Sequence, residues 1–496
     1  MMGHQTPQKE LFSYHVDLDR RVRANHPLRR LAALLDGERI CRQVRPCYGY
    51  NGNESVDPVI IMKLLVLLFL DDVASERELM RIIPERLDYL WFLGYGLDDA
   101  VPDHSVLSKA RKRWGVPVFE TLFIEVVGQC VQAGLVDGKK LHLDGSLVDA
   151  NASNNSVVQG APELIAALKA AYQVTEQKLE ERTPYYDVQN ERLMSTTDPD
   201  ATVVRKGSHG PRPRYKNHRV VDDAHGVITA VETTTGAVAE NHRLLALVTQ
   251  HEQNTAIQAE TVVADKQYGT AENFRACQAR GLQTHMGDLL APQKDTGRRA
   301  DIFAEEDFAY DAVTDTYRCP AGQPLTRRKH KTHRAAWDYA ASAATCRHCP
   351  LRAQCTRSQT ARSVKRHEGH ELIQRGREQA HSPAAYRDRQ RRKWLMEGSF
   401  ADATNNHGFK RARWRRLWRQ QIQDYLIATV QNLRLLLRQR PAPAAAVAAA
   451  LQRLLRPAAR ALRPRLQPIF QIFRRWCDIS GSITELFHWA ALPVQP

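Results

Sequence analysis

The chain has 496 residues, 43% of them hydrophobic, and a formal net charge of +16. That length allows roughly two to four domains at ~100–200 residues each, with apolar residues enough for sizeable cores. The excess of Lys and Arg points to an anionic partner, of which nucleic acid is the commonest. Nine cysteines without a secretory leader do not read as a disulfide scaffold, so a cytoplasmic location is expected. The longest apolar run, VIIMKLLVLLFL at 59–70, contains Lys63. It falls short of the ~20 residues that span a bilayer and reads as a buried helix. No membrane partner is expected.

Residues 1–135 read as an all-α domain. VDPVIIMKLLVLLFL predicts a helix with Asp57 as N-cap and Pro58 at its first position. SERELMRIIPERLDYLWFL predicts a second, with Ser75 and Glu78 spaced as a capping box and an interruption at Pro84. VPDHSVLSKARKRWG starts another at Asp103 or Ser105. Its basic turn, with Lys109, Arg111, Lys112 and Arg113, is a candidate DNA contact.

From 136 the pattern becomes mixed α/β. KKLHLDGSLVDA is the first strand, followed by a helix over 161–182 and a polar, basic Gly/Pro loop, STTDPDATVVRKGSHGPRPRYKNH. HRVVDDAHGVITAVETTT reads as a hairpin, HRLLALVTQHEQ as a helix and AETVVADKQYG as a short apolar strand ending at Asp265. A helix, AENFRACQARG, and a strand, LQTHM, follow. Residues 287–385 break the alternation with charged sequence and clustered cysteines. Residues 386–438 return to helix, and QIQDYLIATVQNLRLLLRQR is strongly amphipathic. Residues 439–496 form an Ala/Pro/Arg-rich basic tail.

Alternation along the first strand places His142, Asp144, Ser146 and Val148 on one face, with Leu141, Leu143, Gly145 and Leu147 on the other. An acid inside a strand is costly unless a hydrogen bond, an ion pair or a metal compensates it. Asp265 ends a second strand, and Glu397 sits in the helical stretch WLMEGSF. Isolated carboxylates on scaffold elements of a basic chain suggest a divalent-ion site. Asp149 and Asp222 are rival acids, read as structural.

Cys319, before Pro-Ala-Gly, joins Cys346, Cys349 and Cys355 of TCRHCPLRAQC as a four-thiol set of the kind that grips one structural Zn²⁺. An iron–sulfur cluster and four reduced, packed cysteines are the alternatives. His330, His333 and His348 are substitute ligands, and Cys41, Cys47, Cys130, Cys277 and Cys477 read as ordinary single cysteines. RDRQRRKW and KRARWRRLWR supply candidate phosphate contacts in Lys393, Lys410, Arg411, Arg413, Arg415 and Arg416. Trp414 and Trp418 are read there as the inward face of a helix. Phosphate contacts position DNA without reading its sequence.

These stretches, with TDPDA, VVADKQYG and EGSFADATNNHGFKRARWRRLW, occur in an order and spacing that resemble a bacterial insertion-sequence DDE transposase. The branch resembled has a helical N-terminal transposase domain and a cysteine cluster before the last acid. The resemblance implies an α/β ribonuclease H-like catalytic core with a mixed sheet. An all-α N-terminal domain and a small Cys-rich insert would flank it. It implies Asp144, Asp265 and Glu397 as the acids holding two Mg²⁺ ions. It implies hydrolysis at the element's end, attack of the freed 3′-hydroxyl on target DNA, and a homodimer on double-stranded DNA near the bacterial nucleoid.

The sequence departs from the family's pattern in places. Lys393 loosely matches the basic residue that relatives carry before the last acid, Thr404 replaces a Lys after it, and Gln267 interrupts the usual Gly-Tyr after the second acid. An inert DNA-binding derivative and a nuclease without strand transfer are the alternative functions. The expected organisation is 1–135 (DNA-binding), 136–286 (first part of the core), 287–385 (Cys-rich insert), 386–438 (final core helices) and 439–496 (tail).

Overall fold

The computed structural model describes residues 16–49, 54–175, 192–206, 209–289, 302–332 and 335–438. The tail over 439–496, Cys477, His333 and the end of the 161–182 helix lie outside the described residues.

Among the described residues seven α-helices come first: α1 (Leu18–Arg21), α2 (Pro27–Leu34), α3 (Gly37–Val44), α4 (Pro58–Leu70), α5 (Glu76–Ile82), α6 (Leu87–Leu93) and α7 (Ser105–Gln132). α4 starts as its sequence predicts, with the Asp57 carboxylate accepting from the Val59 N–H and Pro58 at the first position. It is apolar on all sides because it is buried on nearly all sides. Ser75 caps α5 by accepting from the Glu78 N–H. Glu78 turns outward to Arg81 instead of closing the box. Pro84 ends α5 in a short 3-10 turn. α7 breaks at Gly115, where φ is +64°. Its length and composition would allow a membrane span, but its apolar residues from Val118 to Cys130 are buried in the protein.

The central elements are β1 (Lys140–Asp149), β2 (Val157–Gln159), α8 (Pro162–Thr175), β3 (Leu193–Ser195), β4 (Thr202–Lys206), β5 (His209–Asp222) and β6 (Ile228–Thr235). Then follow α9 (Leu244–Thr255), β7 (Thr261–Ala264), α10 (Ala271–Ala279) and β8 (Gln283–Met286). Among the described residues, six of these strands form a mixed sheet. β1 is antiparallel to β5 and parallel to β7, and β7 is parallel to β8. β4 and β6 share the outer edge of β5.

The stretch expected as a polar loop is partly strand: β4 and the first half of β5 occupy it. Pro211 and Pro213 fit because they fall where β5 runs beside the short, irregular β4, and a proline costs least at such a margin.

β9 (Ala309–Asp311), β10 (Thr316–Arg318), β11 (Pro324–Lys331), β12 (Ala336–Ala340) and β13 (Ser363–His367) form an antiparallel meander with its own small core. α11 (Ala343–Arg347) and α12 (Arg352–Cys355) bridge its last two strands. α13 (His370–His381), α14 (Pro383–His407) and α15 (Leu417–Arg438) complete the fold.

One apolar cluster runs from α2–α7 through Val148, Tyr215 and Val231 of the sheet into α15. A second lies on the other face of the sheet, under α9, α10 and α13. The N-terminal helices therefore share a core with the central sheet and α15. Contact at the edges is direct: the Tyr425 hydroxyl donates to Glu120, and its ring lies 5.6 Å from Phe123.

Candidate active site

Asp144 lies mid-strand on β1, and Asp265 caps the turn that follows the adjacent parallel strand β7, accepting from the Gln267 N–H at 2.9 Å. Glu240 opens a 3-10 turn after β6. Each of these three carboxylates offers an oxygen, and the three oxygens lie within 4.8 Å of one another. No other such group of acids, histidines or cysteines occurs among the described residues.

Two cations pair directly with this cluster, and the buried Arg219 acts on Asp144 through space. Arg392 of α14 donates to Asp144 Oδ2 at 2.9 Å, and Lys216 of β5 stands 3.6 Å from Glu240. Arg392 is thus the protein's own compensation for the acid inside β1. Burial raises the Asp144 carboxyl above the usual range, opposed by Arg392 and the Gly145 N–H, with Asp265 adding to the rise. Burial likewise raises Glu240, opposed by Lys216 and reinforced by Asp144 and Asp265. Three oxygen donors, without sulfur or imidazole, suit a hard divalent cation.

The even-numbered face of β1 is covered by α14. Lys140 pairs with Asp388 at 3.0 Å, and His142 meets Asp223, which also holds Arg391. Arg219, opposite Asp144 on β5, is fully buried and donates to Ser399 of α14 and Gln431 of α15. Glu397 is exposed on α14 and stands outside the acidic cluster. At ~100° per residue it lies roughly 140° around the helix from Arg392, whereas Ser399 comes back to the Arg392 side.

The rival acids have other partners. Asp149 pairs with Arg214 at 2.6 Å, and Asp222 accepts from the Gly138 and Ala224 N–H groups.

The candidate DNA contacts divide by burial. Lys109, Lys112, Arg113, Lys393, Arg411 and Arg415 are exposed. Arg111 is 3% exposed, paired with Glu76 and stacked 3.8 Å from the Trp414 ring centre. Arg413 binds Asp72 and the Val73 carbonyl, and Arg416 faces Asp200. Lys410 donates to Ser146 at 2.6 Å.

The segment before α15 is not the helix that its Trp spacing suggested. It lies along the end of β1, with the Asp149 N–H donating to the Lys410 carbonyl and the Ala412 N–H to the Asp149 carbonyl. Both tryptophans nevertheless pack against the core.

Cys319, Cys346, Cys349 and Cys355 line one small cavity at the edge of the meander core. No three of their sulfurs come within 4.8 Å of one another. Burial raises the Cys355 thiol, and the other three thiols add to the rise. His330 is turned away, stacked 4.5 Å from Trp337 and bonded to Glu368.

Glu240 was missed by sequence reasoning. It follows a loop, TTTGAVAE, and only Gly145 signals it: a Cβ there would lie 2.8 Å from Glu240 Cδ.

A family model for a transposase domain (DUF772) matches residues 16–113, and one for a transposase DDE domain matches residues 318–437. Over these two stretches the chain is similar to transposases, and over residues 318–437 to those with a DDE domain. The first match covers most of the N-terminal helices. The second covers most of the meander, the cysteines and α13–α15. Asp144, Glu240 and Asp265 lie between the two matches. A solved structure of piggyBac transposase in a synaptic complex with hairpin DNA matches 83% of this chain and 75% of that one. The identity is 9% and the TM-score 0.35, too slight a likeness to carry an argument. No curated protein matches the chain.

Proposed function

We propose that the chain is an insertion-sequence transposase with a ribonuclease H-like core. It would bind element-end double-stranded DNA, hydrolyse a phosphodiester there and join the freed 3′-hydroxyl to target DNA. The observation that carries the reading is the convergence of Asp144 and Asp265 from neighbouring parallel strands. The strand order β6-β5-β1-β7-β8, with β5 alone running opposite along that path, supports the core assignment.

Asp144 and Asp265 would hold Mg²⁺, two ions in the full site, with Glu397 as the third acid. Bound ions would supply Lewis-acid stabilisation of the attacking and leaving oxygens. The chain's own groups do the rest. Arg392 orients Asp144, and Lys393, Arg411 and Arg415, exposed on α14 and beside the end of β1, would grip phosphates. Lys109, Lys112 and Arg113 would extend that grip along the N-terminal helices. Cutting and joining paired ends needs two active sites, hence a homodimer on DNA, in the cytoplasm at the nucleoid. The four cysteines would hold a structural Zn²⁺ that braces the meander.

The test is strand cleavage and joining on a labelled element-end duplex with Mg²⁺, comparing wild type with Asp144→Asn, Asp265→Asn and Glu397→Gln. Loss of joined product in all three, with binding kept, supports the triad. Activity surviving one substitution removes that acid from it. Cleavage without joining makes the protein a nuclease, and binding without cleavage an inert DNA-binding derivative.

A further inference from the structure

The third member of the acidic cluster has no role in the reading above. We propose that Glu240 is a resident ligand of a hard divalent cation, sharing it with Asp144 and Asp265 before DNA arrives. This rests on the assignment of Asp144 and Asp265 as metal-binding acids.

Three independent features of the site support it. First, the Glu240 carboxylate is brought within 4.8 Å of both aspartates, with Lys216 beside Glu240, and Arg392 and the buried Arg219 acting on Asp144. Burial and mutual repulsion still raise the Asp144 and Glu240 carboxyls, a cost that a bound cation would offset.

Second, β1 leaves room for Glu240. Gly145 presents no side chain to it, and a Cβ would sit 2.8 Å from both Glu240 Cγ and Cδ. The Asp-Gly pair in LHLDGSLV thus sets an acid beside the gap that admits a second acid.

Third, the Tyr268 ring is fully buried and its hydroxyl has no hydrogen-bond partner. After burial, the charges of Glu240, Asp144 and Asp265 are what act most on that hydroxyl, so it lies in their neighbourhood. A buried hydroxyl without a partner is rare in a native fold, and its presence beside three carboxylates points to a ligand. Water on a bound cation could bond to it.

The experiment is Mn²⁺ binding to the full-length, DNA-free protein, read from the electron paramagnetic resonance signal of free Mn²⁺. Glu240→Gln is expected to weaken binding at least ~10-fold, since even an outer partner of a metal ligand is worth about that much. Gly145→Ala keeps every acid but pushes the Glu240 carboxylate aside, and is expected to weaken binding several-fold. Asp149→Asn, whose carboxylate serves Arg214, should bind as wild type does. Unchanged binding in Glu240→Gln, with binding lost in Asp144→Asn and Asp265→Asn, overturns this proposal and leaves the two aspartates assigned. Unchanged binding in all three variants, or no binding by wild type, overturns the underlying site and the proposal with it. Gly145→Ala keeps the proposal decidable should Glu240→Gln fold poorly: wild-type affinity in that variant counts against it.

Discussion

Arg111 offers the sharpest test of how the basic residues divide. It was a candidate DNA contact, yet it is 3% exposed and its partner Glu76 15% exposed. Replacing Arg111 with Met keeps much of the side-chain volume but strands the Glu76 carboxylate. Breaking one side of a buried pair costs ~3–5 kcal/mol. Arg413 still acts on Glu76 from nearby, so the lower end, about 3 kcal/mol, is expected. In a unit this size each kcal/mol moves Tm by ~1–2 °C, following the trend with length, so Tm should fall by about 3–6 °C. The double variant Glu76→Leu/Arg111→Met removes both charges and should recover to within about 1 kcal/mol of wild type. The assay is thermal unfolding by circular dichroism, beside DNA affinity at fixed salt. A single variant as stable as wild type that loses DNA affinity as Lys109→Ala does would refute the buried-pair reading.

Three further outcomes are expected. DNA affinity should fall steeply with salt, and Lys109→Ala should lower the slope of log K against log salt by about 0.9; an affinity flat between low and moderate salt would contradict the phosphate contacts. Asp424, a buried residue of α15, accepts from Thr233 and Gln420, and burial pushes its carboxyl up to about 6. The folded state therefore takes up a proton between pH ~6 and ~4 that the unfolded chain, near 3.9, does not. Wild type should gain stability relative to Asp424→Asn as pH falls through that window; a pH-independent difference in unfolding free energy would exclude it. Chelation of zinc should lower the protection of meander amides from hydrogen exchange while leaving β1 and β7 protected, and equal exchange with and without chelator would leave the cysteines without a metal role.

Where periodicity and capping act locally, the sequence was legible. Asp57 and Pro58 start α4, Ser75 caps α5, and the β5–β6 hairpin turns where Asp223-Ala-His-Gly226 said it would. Arg111 could have been placed: with Leu107, Ala110 and Trp114 it falls on one helical stripe, and the other three are buried apolar residues. The strand half of the basic loop was hidden because Gly and Pro mark turns and sheet margins alike. Glu240 was hidden for a different reason. Its meeting with Asp144 and Asp265 depends on three chain segments crossing at one point, and no local pattern encodes that. The orientation of α14, which turns Arg392 toward Asp144 and Glu397 to solvent, depends in the same way on contacts with β1, β5 and α15.

The apolar cluster that joins α4 to α15 has a consequence for how the chain comes off the ribosome. α4 carries apolar side chains on every face, and part of their cover is supplied by Trp414, whose ring meets Phe69 edge-on at 5.8 Å. At ~5–20 residues per second, the roughly 350 residues between them take about 20–70 seconds to synthesise. Through that interval the nascent N-terminal helices hold an incompletely covered apolar surface, which a holdase chaperone would be suited to shield. Emergence of the segment around Trp414, not of the first helices, is then the moment at which the N-terminal helices become fully covered.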